Sequence, residues 1–375
     1  MAGDLVVDTA PSLAGPSLSE ARPAAGHVAL AAAQERFAQA AASGVFAKTY
    51  ELAGFPVQLR FAGKRILRRL TRAFGHLERP MGSQPVLTVD LWDSATAATL
   101  PPRLPAADFD EAARGAVAYF AEGPVRALYQ PALETLQMLD EEQNHAWFWA
   151  KNAESLPEWE CATPIRHILH WWLARQGVQQ LHAAAIGLPS GGVLVVGQGG
   201  SGKSTVALAG LAAGLLYASN NYVTTSVEGG PIAYSLFNSG KVEPHHLDRF
   251  PHLLSAERIE PETDPSAAPF DRDKTVVYLH ESHATTTTAS FPIRAIMIPR
   301  LVGRGDTRIA PVSAARALAA LAPSTIVQLH TAGAPALTAM RKLVASVPAF
   351  DLALGANVEA AGSVIRDLLA ELDLE

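Results

Sequence analysis

Residues 191–213 read GGVLVVGQGGSGKSTVALAGLAA, and this stretch decides the fold of the second half of the chain. A short apolar run comes first, a glycine-rich segment follows, and an alanine-rich helical pattern completes the stretch. The middle segment satisfies G-x-x-x-x-G-K-S/T through Gly197, Gly202, Lys203 and Ser204. The motif requires a strand, a loop and a helix in that order. The sequence therefore predicts a phosphate-binding loop at the N-terminus of a helix.

Each residue type in this loop has a chemical reason to be there. Glycines let backbone N–H groups converge on phosphate oxygens without a Cβ in the way, and the helix N-terminus adds a favourable dipole. Lys203 is expected to reach the β and γ phosphates of a nucleotide, and the Ser204 hydroxyl is expected to ligate Mg²⁺. The predicted cofactor-binding residues are Gly197, Gln198, Gly199, Gly200, Ser201, Gly202, Lys203, Ser204 and Thr205.

Three other nucleotide-binding classes fit the sequence less well. Gly197, Gly199 and Gly202 also match the dinucleotide fingerprint G-x-G-x-x-G. That fingerprint wants an acidic residue about 20 positions further on, where residues 219–221 read SNN. An ABC-type ATPase would carry an LSGGQ-like signature and a GTPase would carry N-K-x-D, and the sequence contains neither.

The composition limits the classes of partner. With 30 basic and 36 acidic residues the net charge is −6, so no overall positive charge favours nucleic acid or an anionic membrane. No apolar run approaches the roughly 18 residues of a membrane-spanning helix. Cys161 is the single cysteine, which fits a reducing compartment. We therefore expect a cytoplasmic protein without a nucleic-acid or membrane partner, and homo-oligomer formation stays open.

The residue pattern predicts three regions. Residues 1–26 are rich in Pro, Ala, Ser and Gly and are typical of a disordered tail. Residues 27–160 predict a small α+β domain for substrate recognition, with a hairpin over 49–61 and a helix over 108–121. Residues 161–375 alternate short apolar strands with helices, which is typical of an α/β fold with helices covering a sheet.

Three segments between Leu181 and Val223, namely LHAAAIG, GVLVVGQGGSGKST and GLLYASNNYV, carry a family resemblance. They resemble the C-terminal domain of HPr kinase/phosphorylase, and more closely the HPr-kinase-like serine kinases, some of which act on peptide precursors. The resemblance is fainter through the rest of the C-terminal half. It implies a phosphate-loop fold related to that of phosphoenolpyruvate carboxykinase, ATP with Mg²⁺, and phosphate transfer to a serine hydroxyl of a protein or peptide.

The resemblance also implies roles at matching positions. Lys203 and Ser204 keep the phosphate and metal roles. His182 corresponds to the histidine that precedes the loop by one strand, where its imidazole would lie near the transferred phosphate. A buried core histidine is the alternative. Lys241 in NSGKV and Arg300 in IPR lie at predicted strand ends and are either clamps for the γ-phosphate or surface charges.

Asn220 and Asn221 depart from the family pattern, which has one or two Asp residues after this strand. The family's carboxylate accepts the proton of the substrate hydroxyl and helps to hold Mg²⁺, and an amide can do neither. Either His182 serves as the base, or another acid moves in, or the protein binds nucleotide without efficient transfer. Glu281 ends an apolar run and is the predicted metal ligand beside Ser204. The candidate acids are Glu228, Glu243, Asp271, Asp273 and Glu281.

Two functions follow from these residues. The first is an ATP-dependent kinase acting on a serine or threonine hydroxyl of a protein or peptide, with His182, Asn220 and Lys203 as its catalytic candidates. The second is a nucleotide-binding regulatory or partner-binding protein with impaired catalysis. The two asparagines favour the second function, and the intact loop fits both.

Overall fold

A computed structural model gives the fold of the protein. It describes residues 18–80, 82, 84–102, 104, 109–111, 117–120, 123–244, 249–251, 253, 256–259, 274–329 and 331–374. Asp271, Asp273 and the first 17 residues of the predicted tail lie outside these ranges. The chain divides into two compact units whose segments alternate along the sequence. The first unit contains Met1–Thr71, Glu78–Pro157 and Ile165–Trp172, and the second contains Arg72–Leu77, Glu158–Pro164 and Leu173–Glu375.

One nine-stranded sheet forms the first unit. Its strands in chain order are β1 (Phe46–Leu52), β2 (Phe55–Ala62), β3 (Glu78–Arg79), β4 (Leu87–Asp93), β5 (Phe109–Glu111), β6 (Val117–Tyr119), β7 (Val125–Gln130), β8 (Thr135–Asp140) and β9 (His145–Ala150). Their order in the sheet is β3-β1-β2-β4-β9-β8-β7-β6-β5. β4 pairs in parallel with β2 and β9, and the other neighbours are antiparallel.

Helix α1 (Leu18–Ala40) packs on this sheet and begins inside the segment predicted as a tail. Its buried residues, Ala29, Leu30, Ala33, Phe37 and Ala40, follow helical spacing and form one apolar stripe. The stripe meets aromatic side chains of β4 and β9, with the rings of Phe37 and Trp92 5.9 Å apart and edge-on. Trp147 and Trp149 belong to the same cluster, so these aromatic residues are core.

Two local predictions in this unit have different outcomes. The hairpin is confirmed, because β1 and β2 pair from Phe46↔Phe61 to Leu52↔Phe55 around the turn at 53–54. The helix over 108–121 is wrong, because β5 and β6 lie there and β6 pairs with β7. Alanines favour a helix in this segment, but pairing with a neighbouring strand overrides the local propensity.

The second unit contains a mixed sheet and a small three-stranded sheet. The strands of the mixed sheet are β10 (Gln179–Leu181), β11 (Ala184–Leu188), β12 (Gly191–Val195), β13 (Leu216–Ser219), β14 (Val223–Ser226), β15 (Ile232–Ser235), β19 (Ser290–Leu301), β20 (Arg308–Val312) and β21 (Ala349–Leu354). Its main path is β10-β14-β15-β19-β12-β11-β13, and β21 pairs with β19 and β20. The small sheet has the order β16-β18-β17, with β16 (Ser239–Val242), β17 (Glu257–Ile259) and β18 (Thr275–Tyr278).

Helices cover the mixed sheet, as the α/β pattern predicts. The helices of the second unit are α4 (Glu158–Cys161), α6 (Lys203–Ala212), α7 (Ala314–Gln328), α8 (Gly333–Ser346) and α9 (Ala360–Leu372). The first unit also contains α2 (Lys64–Thr71) and α3 (Ser94–Ala97), and α5 (Arg166–Arg175) has residues in both units. The core of the second unit joins α6 and α9 to β11, β12 and β21. Within the described ranges, no helix combines the length and apolar character needed to cross a bilayer.

Strand direction decides which residues meet at one end of the mixed sheet. β12 pairs in parallel with β19, and β19 pairs in parallel with β21. β11 lies antiparallel between β12 and β13, so β12 and β13 run in the same direction. The ends of β12, β13, β19 and β21 therefore share one edge with the start of β11. We call this edge the carboxyl edge.

Candidate functional site

The segment 197–202 forms a loop between the end of β12 and the start of α6, as its sequence predicts. Gly197, Gly200 and Gly202 have φ values of +151°, +78° and +100°. A side chain at Gly202 would be strained by this φ and would also place a Cβ 3.1 Å from Cδ1 of Leu354. The glycines thus permit a loop that curls over the helix N-terminus, where backbone N–H groups and the helix dipole favour an anion.

The side chain of Lys203 is buried inside this loop, with 7% of the residue exposed. Its ammonium donates hydrogen bonds to the carbonyl oxygens of Gly197 at 2.7 Å and Gln198 at 3.0 Å. Burial and, to a smaller extent, the nearby positive charge of Lys274 lower the pKa of Lys203 to about 8. An anion bound against this ammonium would offset both effects, because it stabilises the charged form.

The other loop residues present polar groups of different exposure. Gln198, Gly199 and Gly200 are exposed at the tip, and Ser204 and Thr205 are half-buried in the first turn of α6. The hydroxyl oxygen of Ser201 is buried and has no hydrogen-bond partner among the described residues. The tip is therefore open to a ligand, and the Ser204 hydroxyl lies at the helix N-terminus as the motif predicts.

His182 precedes β11 and so lies at the carboxyl edge together with the loop. Its ring Nε2 is 2.9 Å from Oδ1 of Asn221, and its backbone N–H donates to Oγ1 of Thr325 at 3.2 Å. The ring is buried and lies 5.6 Å, centroid to centroid, from that of Tyr222. Because an amide oxygen only accepts hydrogen bonds, this contact assigns the neutral ring an Nε2–H and leaves Nδ1 as its basic nitrogen.

Asn220 follows β13 at the same edge and is buried. Its Nδ2 donates to the backbone oxygen of Lys241 at 3.4 Å, and its Oδ1 has no hydrogen-bond partner among the described residues. Ser219 supports the turn, because its hydroxyl donates to Tyr222 O and accepts from the N–H of Asn221. The turn thus directs Asn221 to His182 and leaves an acceptor oxygen of Asn220 without a partner in the described part of the chain.

The structure separates the two cationic residues that the sequence singles out. Lys241 is buried in β16 with 6% of the residue exposed, so it is not a surface charge. Its ammonium lies 5.8 Å from the ring centroid of Trp159. Arg300 is exposed near the end of β19, at the carboxyl edge.

The candidate acids also occupy different positions. Glu243 directly follows β16 and is exposed, and Asn220 of the carboxyl edge donates to the backbone oxygen of Lys241, two residues before it. β18 runs antiparallel to β16, with Ser239 opposite Tyr278, so Glu281 follows the far end of the small sheet. Glu281 is exposed in a turn there, and the topology does not bring it to Ser204. Glu228 is exposed in the turn between β14 and β15. Among the described residues, no group of three or more His, Cys, Asp or Glu side chains could hold a metal ion.

Lys274 is a site residue that the sequence analysis misses. It is half-buried directly before β18, and its charge acts on Lys203. In the sequence it belongs to the polar segment DRDK, which is typical of a solvated loop, so the sequence carries no signal for it. Only the pairing of β16 with β18 places it at the site.

Comparisons with known proteins give little beyond these observations. No protein-family model matches the chain, and no curated protein matches it. A solved structure of the HPr(Ser) kinase/phosphatase from Coxiella burnetii matches with a TM-score of 0.27 and 10% sequence identity. The match covers 52% of this chain and 97% of that chain. Because a TM-score of 0.27 does not establish a shared fold, the fold rests on the strands and loops described above.

Proposed function

We propose that the chain binds a nucleoside triphosphate, ATP, with Mg²⁺ at residues 197–205 and transfers the terminal phosphoryl group to a serine or threonine hydroxyl of a protein or peptide. One observation carries the proposal. Lys203 lies buried at a helix N-terminus, inside a loop whose glycines adopt positive φ, and it bonds to the loop's own carbonyl oxygens. This arrangement supports binding of phosphate groups rather than a role in packing.

The cost of burying Lys203 supports the proposal. Moving an ammonium out of water is unfavourable unless a partner compensates it, and its lowered pKa reports that the compensation is incomplete. Two of the three ammonium protons are donated to loop carbonyls. Phosphate oxygens would supply the missing negative charge, and charge-assisted hydrogen bonds to them are stronger than those to neutral carbonyls.

Two oxygen atoms in the site fit Mg²⁺, which prefers oxygen ligands and keeps several of its waters. They are the hydroxyl of Ser204 and the buried Oδ1 of Asn220, which is unpartnered among the described residues. Glu243 adds a carboxylate at the same edge. When bound, Mg²⁺ supplies positive charge that neutralises phosphate oxygens.

The chain's own residues provide the rest of the proposed reaction. The hydroxyl oxygen of the acceptor forms a bond to the γ-phosphorus, the bond from that phosphorus to the β–γ bridging oxygen breaks, and ADP leaves. The hydroxyl proton passes to Nδ1 of His182, whose ring is held by Asn221. Lys203 and the loop N–H groups stabilise charge on the phosphate oxygens. In this proposal Asn220 orients groups and does not take up a proton.

A second function is favoured by the two amides at residues 220 and 221. Without a carboxylate at these positions, the same site would bind ATP and transfer phosphate poorly, and the chain would act as a nucleotide-dependent regulatory or partner-binding protein. The two functions share nucleotide binding and differ in turnover.

One experiment tests both functions. The purified protein is incubated with Mg²⁺ and ATP labelled at the γ-phosphate, together with serine- and threonine-containing peptides, including those encoded beside this chain. Calorimetry on the same preparation measures ATP binding. Transfer to a peptide that is lost in Lys203→Ala supports the kinase, and binding without transfer supports the regulatory protein. Absence of ATP binding at millimolar concentration overturns both.

A further inference from the structure

The small sheet lies beside β13, and two hydrogen bonds fix its direction. The hydroxyl of Tyr217, within β13, donates to the backbone oxygen of Ser239 at 2.8 Å. Asn220, just past β13, donates to the backbone oxygen of Lys241 at 3.4 Å. The earlier of these two donors contacts the earlier residue of β16 and the later donor contacts the later residue, so β13 and β16 run in the same direction. The end of β16 therefore reaches the carboxyl edge beside Asn220.

The pairing of β16 with β18 then places Lys274 at that edge. The two strands are antiparallel, with Lys241 opposite Val276 and Val242 opposite Thr275. One further step in the same register puts Lys274 opposite Glu243. Residues directly opposite in an antiparallel pair project to the same face, and residues two apart on one strand share a face. The side chains of Lys241, Glu243 and Lys274 thus belong to one face.

Two lysines of this arrangement lie at the carboxyl edge, Lys203 in the loop and Lys274 before β18, whereas the ammonium of Lys241 lies against Trp159. Lys203 is buried, Lys274 is half-buried, and the charge of Lys274 acts on that of Lys203. Like charges placed together in a poorly solvated site repel each other, and a bound anion removes the repulsion. Glu243 offers one negative charge on this face, whereas the terminal phosphate of a nucleotide offers more.

We propose that Lys274 binds the γ-phosphate of the nucleotide, as a second cation beside Lys203. This inference rests on the proposed function, and it adds Lys274 to the nucleotide-binding residues and a preference for triphosphate over diphosphate. The loop amides and the helix N-terminus serve phosphates held by residues 197–205, whereas Lys274 reaches the ligand from the small sheet. Lys274 then distinguishes a nucleoside triphosphate from a diphosphate, because only the triphosphate carries the group it contacts.

Calorimetry with two nucleotides tests the assignment. Wild type and Lys274→Gln are titrated with Mg²⁺ and either ADP or a non-hydrolysable ATP analogue. Loss of a charge-assisted contact is expected to weaken binding of the ATP analogue by roughly tenfold or more and binding of ADP by less than threefold. Lys274→Arg is expected to keep most of the discrimination, because it keeps the cation.

Arg258 provides the matched control. It is an exposed cation on β17 of the same small sheet, opposite Val277 of β18. Arg258→Gln removes the same charge from the same sheet, and we expect both nucleotides to bind as they do to wild type. A tenfold loss in this variant would attribute the effect to overall charge and overturn the assignment.

The remaining outcomes separate the two proposals. If wild type binds both nucleotides and Lys274→Gln binds the ATP analogue within twofold of wild type, this inference fails while the proposed function stands. Equal losses for ADP and the ATP analogue also overturn it, since they place Lys274 elsewhere on the nucleotide. If wild type binds neither nucleotide, the proposed function fails and this inference fails with it. Should Lys274→Gln fold poorly, Lys274→Met, which keeps the apolar stem and removes the charge, decides the question by the same ratio of the two affinities.

Discussion

The ring Nε2 of His182 lies 2.9 Å from the amide Oδ1 of Asn221, so the residue two before β11 is held by the second residue after β13. The contact makes the amide of Asn221 the group that orients the ring. A carboxylate at this position would favour the protonated ring, whereas the neutral amide leaves it able to accept a proton.

The first prediction follows from this pair. His182→Ala is expected to lower kcat for phosphoryl transfer by about 10²–10⁴-fold, because it removes the proton acceptor. The Kd for ATP with Mg²⁺ is expected to stay within twofold of wild type. Single-turnover transfer and calorimetry measure the two quantities. His27→Ala, at an exposed position of α1, is the control and should change neither. An unchanged kcat in His182→Ala would contradict the role of His182 as proton acceptor and favour the alternative of a buried core histidine.

The second prediction concerns the buried charge of Lys203. Lys203→Met keeps the apolar stem and removes the ammonium, so it should raise the melting temperature of the ligand-free protein near pH 7 and abolish stabilisation by ATP. The pKa of Lys203 falls from 10.5 in the unfolded chain to about 8 in the folded protein. By linkage that difference corresponds to a penalty on the order of 3 kcal/mol.

The pH dependence of this effect has a definite sign. Below pH 8 the lysine is charged in both states, so the folded wild type carries the full penalty. Between pH 8 and 10.5 the folded protein releases the proton that the unfolded chain keeps, and the stability of wild type rises. The advantage of Lys203→Met should therefore shrink from pH 7.5 to pH 9.5 in thermal melts. An advantage that does not depend on pH would contradict the buried-charge explanation.

The third prediction compares two glycines of the same loop. Gly202→Ala should weaken ATP binding and destabilise the protein by about 1–3 kcal/mol, because φ at this position is +100° and the new Cβ would lie 3.1 Å from Leu354. Gly199→Ala is the matched control, since a Cβ there meets no atom within 4 Å. Thermal melts with and without ATP measure both effects. Equal tolerance of the two substitutions would argue against the loop conformation.

The fourth prediction turns on Asn220. Asn220→Asp supplies a carboxylate at the carboxyl edge and should raise phosphoryl transfer or ATP hydrolysis, since general-base help is worth about 10²–10⁴-fold. It also loses the hydrogen bond to Lys241 O, so the melting temperature should fall. Should wild type already turn over at an ordinary kinase rate, with Asn220→Asp no faster, the impaired-enzyme alternative fails.

The fifth prediction concerns a truncation at the boundary expected from the sequence. A chain starting at Ala162 lacks Arg72–Leu77 and Glu158–Cys161, which belong to the second unit. Asn238 would lose both of its acceptors in the first segment, Ala73 O and Arg72 O, and Tyr278 would lose Glu158 Oε1. The truncated chain should melt well below the full-length protein in differential scanning calorimetry. An equal melting temperature would show that these segments contribute little.

The order of strand, loop and helix around residues 197–202 could be predicted from the sequence because all its determinants lie within residues 191–213. The strand, the glycines, Lys203 and the helix that follows are contiguous, and each has its own local signature. His182 and Asn220 were found only through a family resemblance. Their proximity to the loop is produced by the antiparallel position of β11 between β12 and β13, which no local pattern reports.

Other features depend on contacts that the sequence does not encode locally. Lys274 lies next to the site because β18 pairs with β16 more than 30 residues earlier in the chain. The segment 108–121 has the alanines of a helix but contains the strands β5 and β6, of which β6 pairs with β7 and β5 pairs with β6. The division at residue 160 follows a change of pattern, whereas the second unit includes the short segment 72–77 from before it and the first unit includes 165–172 from after it.

This exchange has a consequence for the order in which the protein can be made. Arg72–Leu77 leaves the ribosome early, while α9, which completes the core of the second unit, is synthesised last. At about 5–20 residues per second, roughly 15–60 s separate the two. The contacts of Asn238 with Arg72 and Ala73 span more than 160 residues, and long-range contacts slow folding. The core of the second unit is therefore complete only once α9 has been made. Until then the apolar faces of its strands are exposed, and exposed apolar surface favours aggregation.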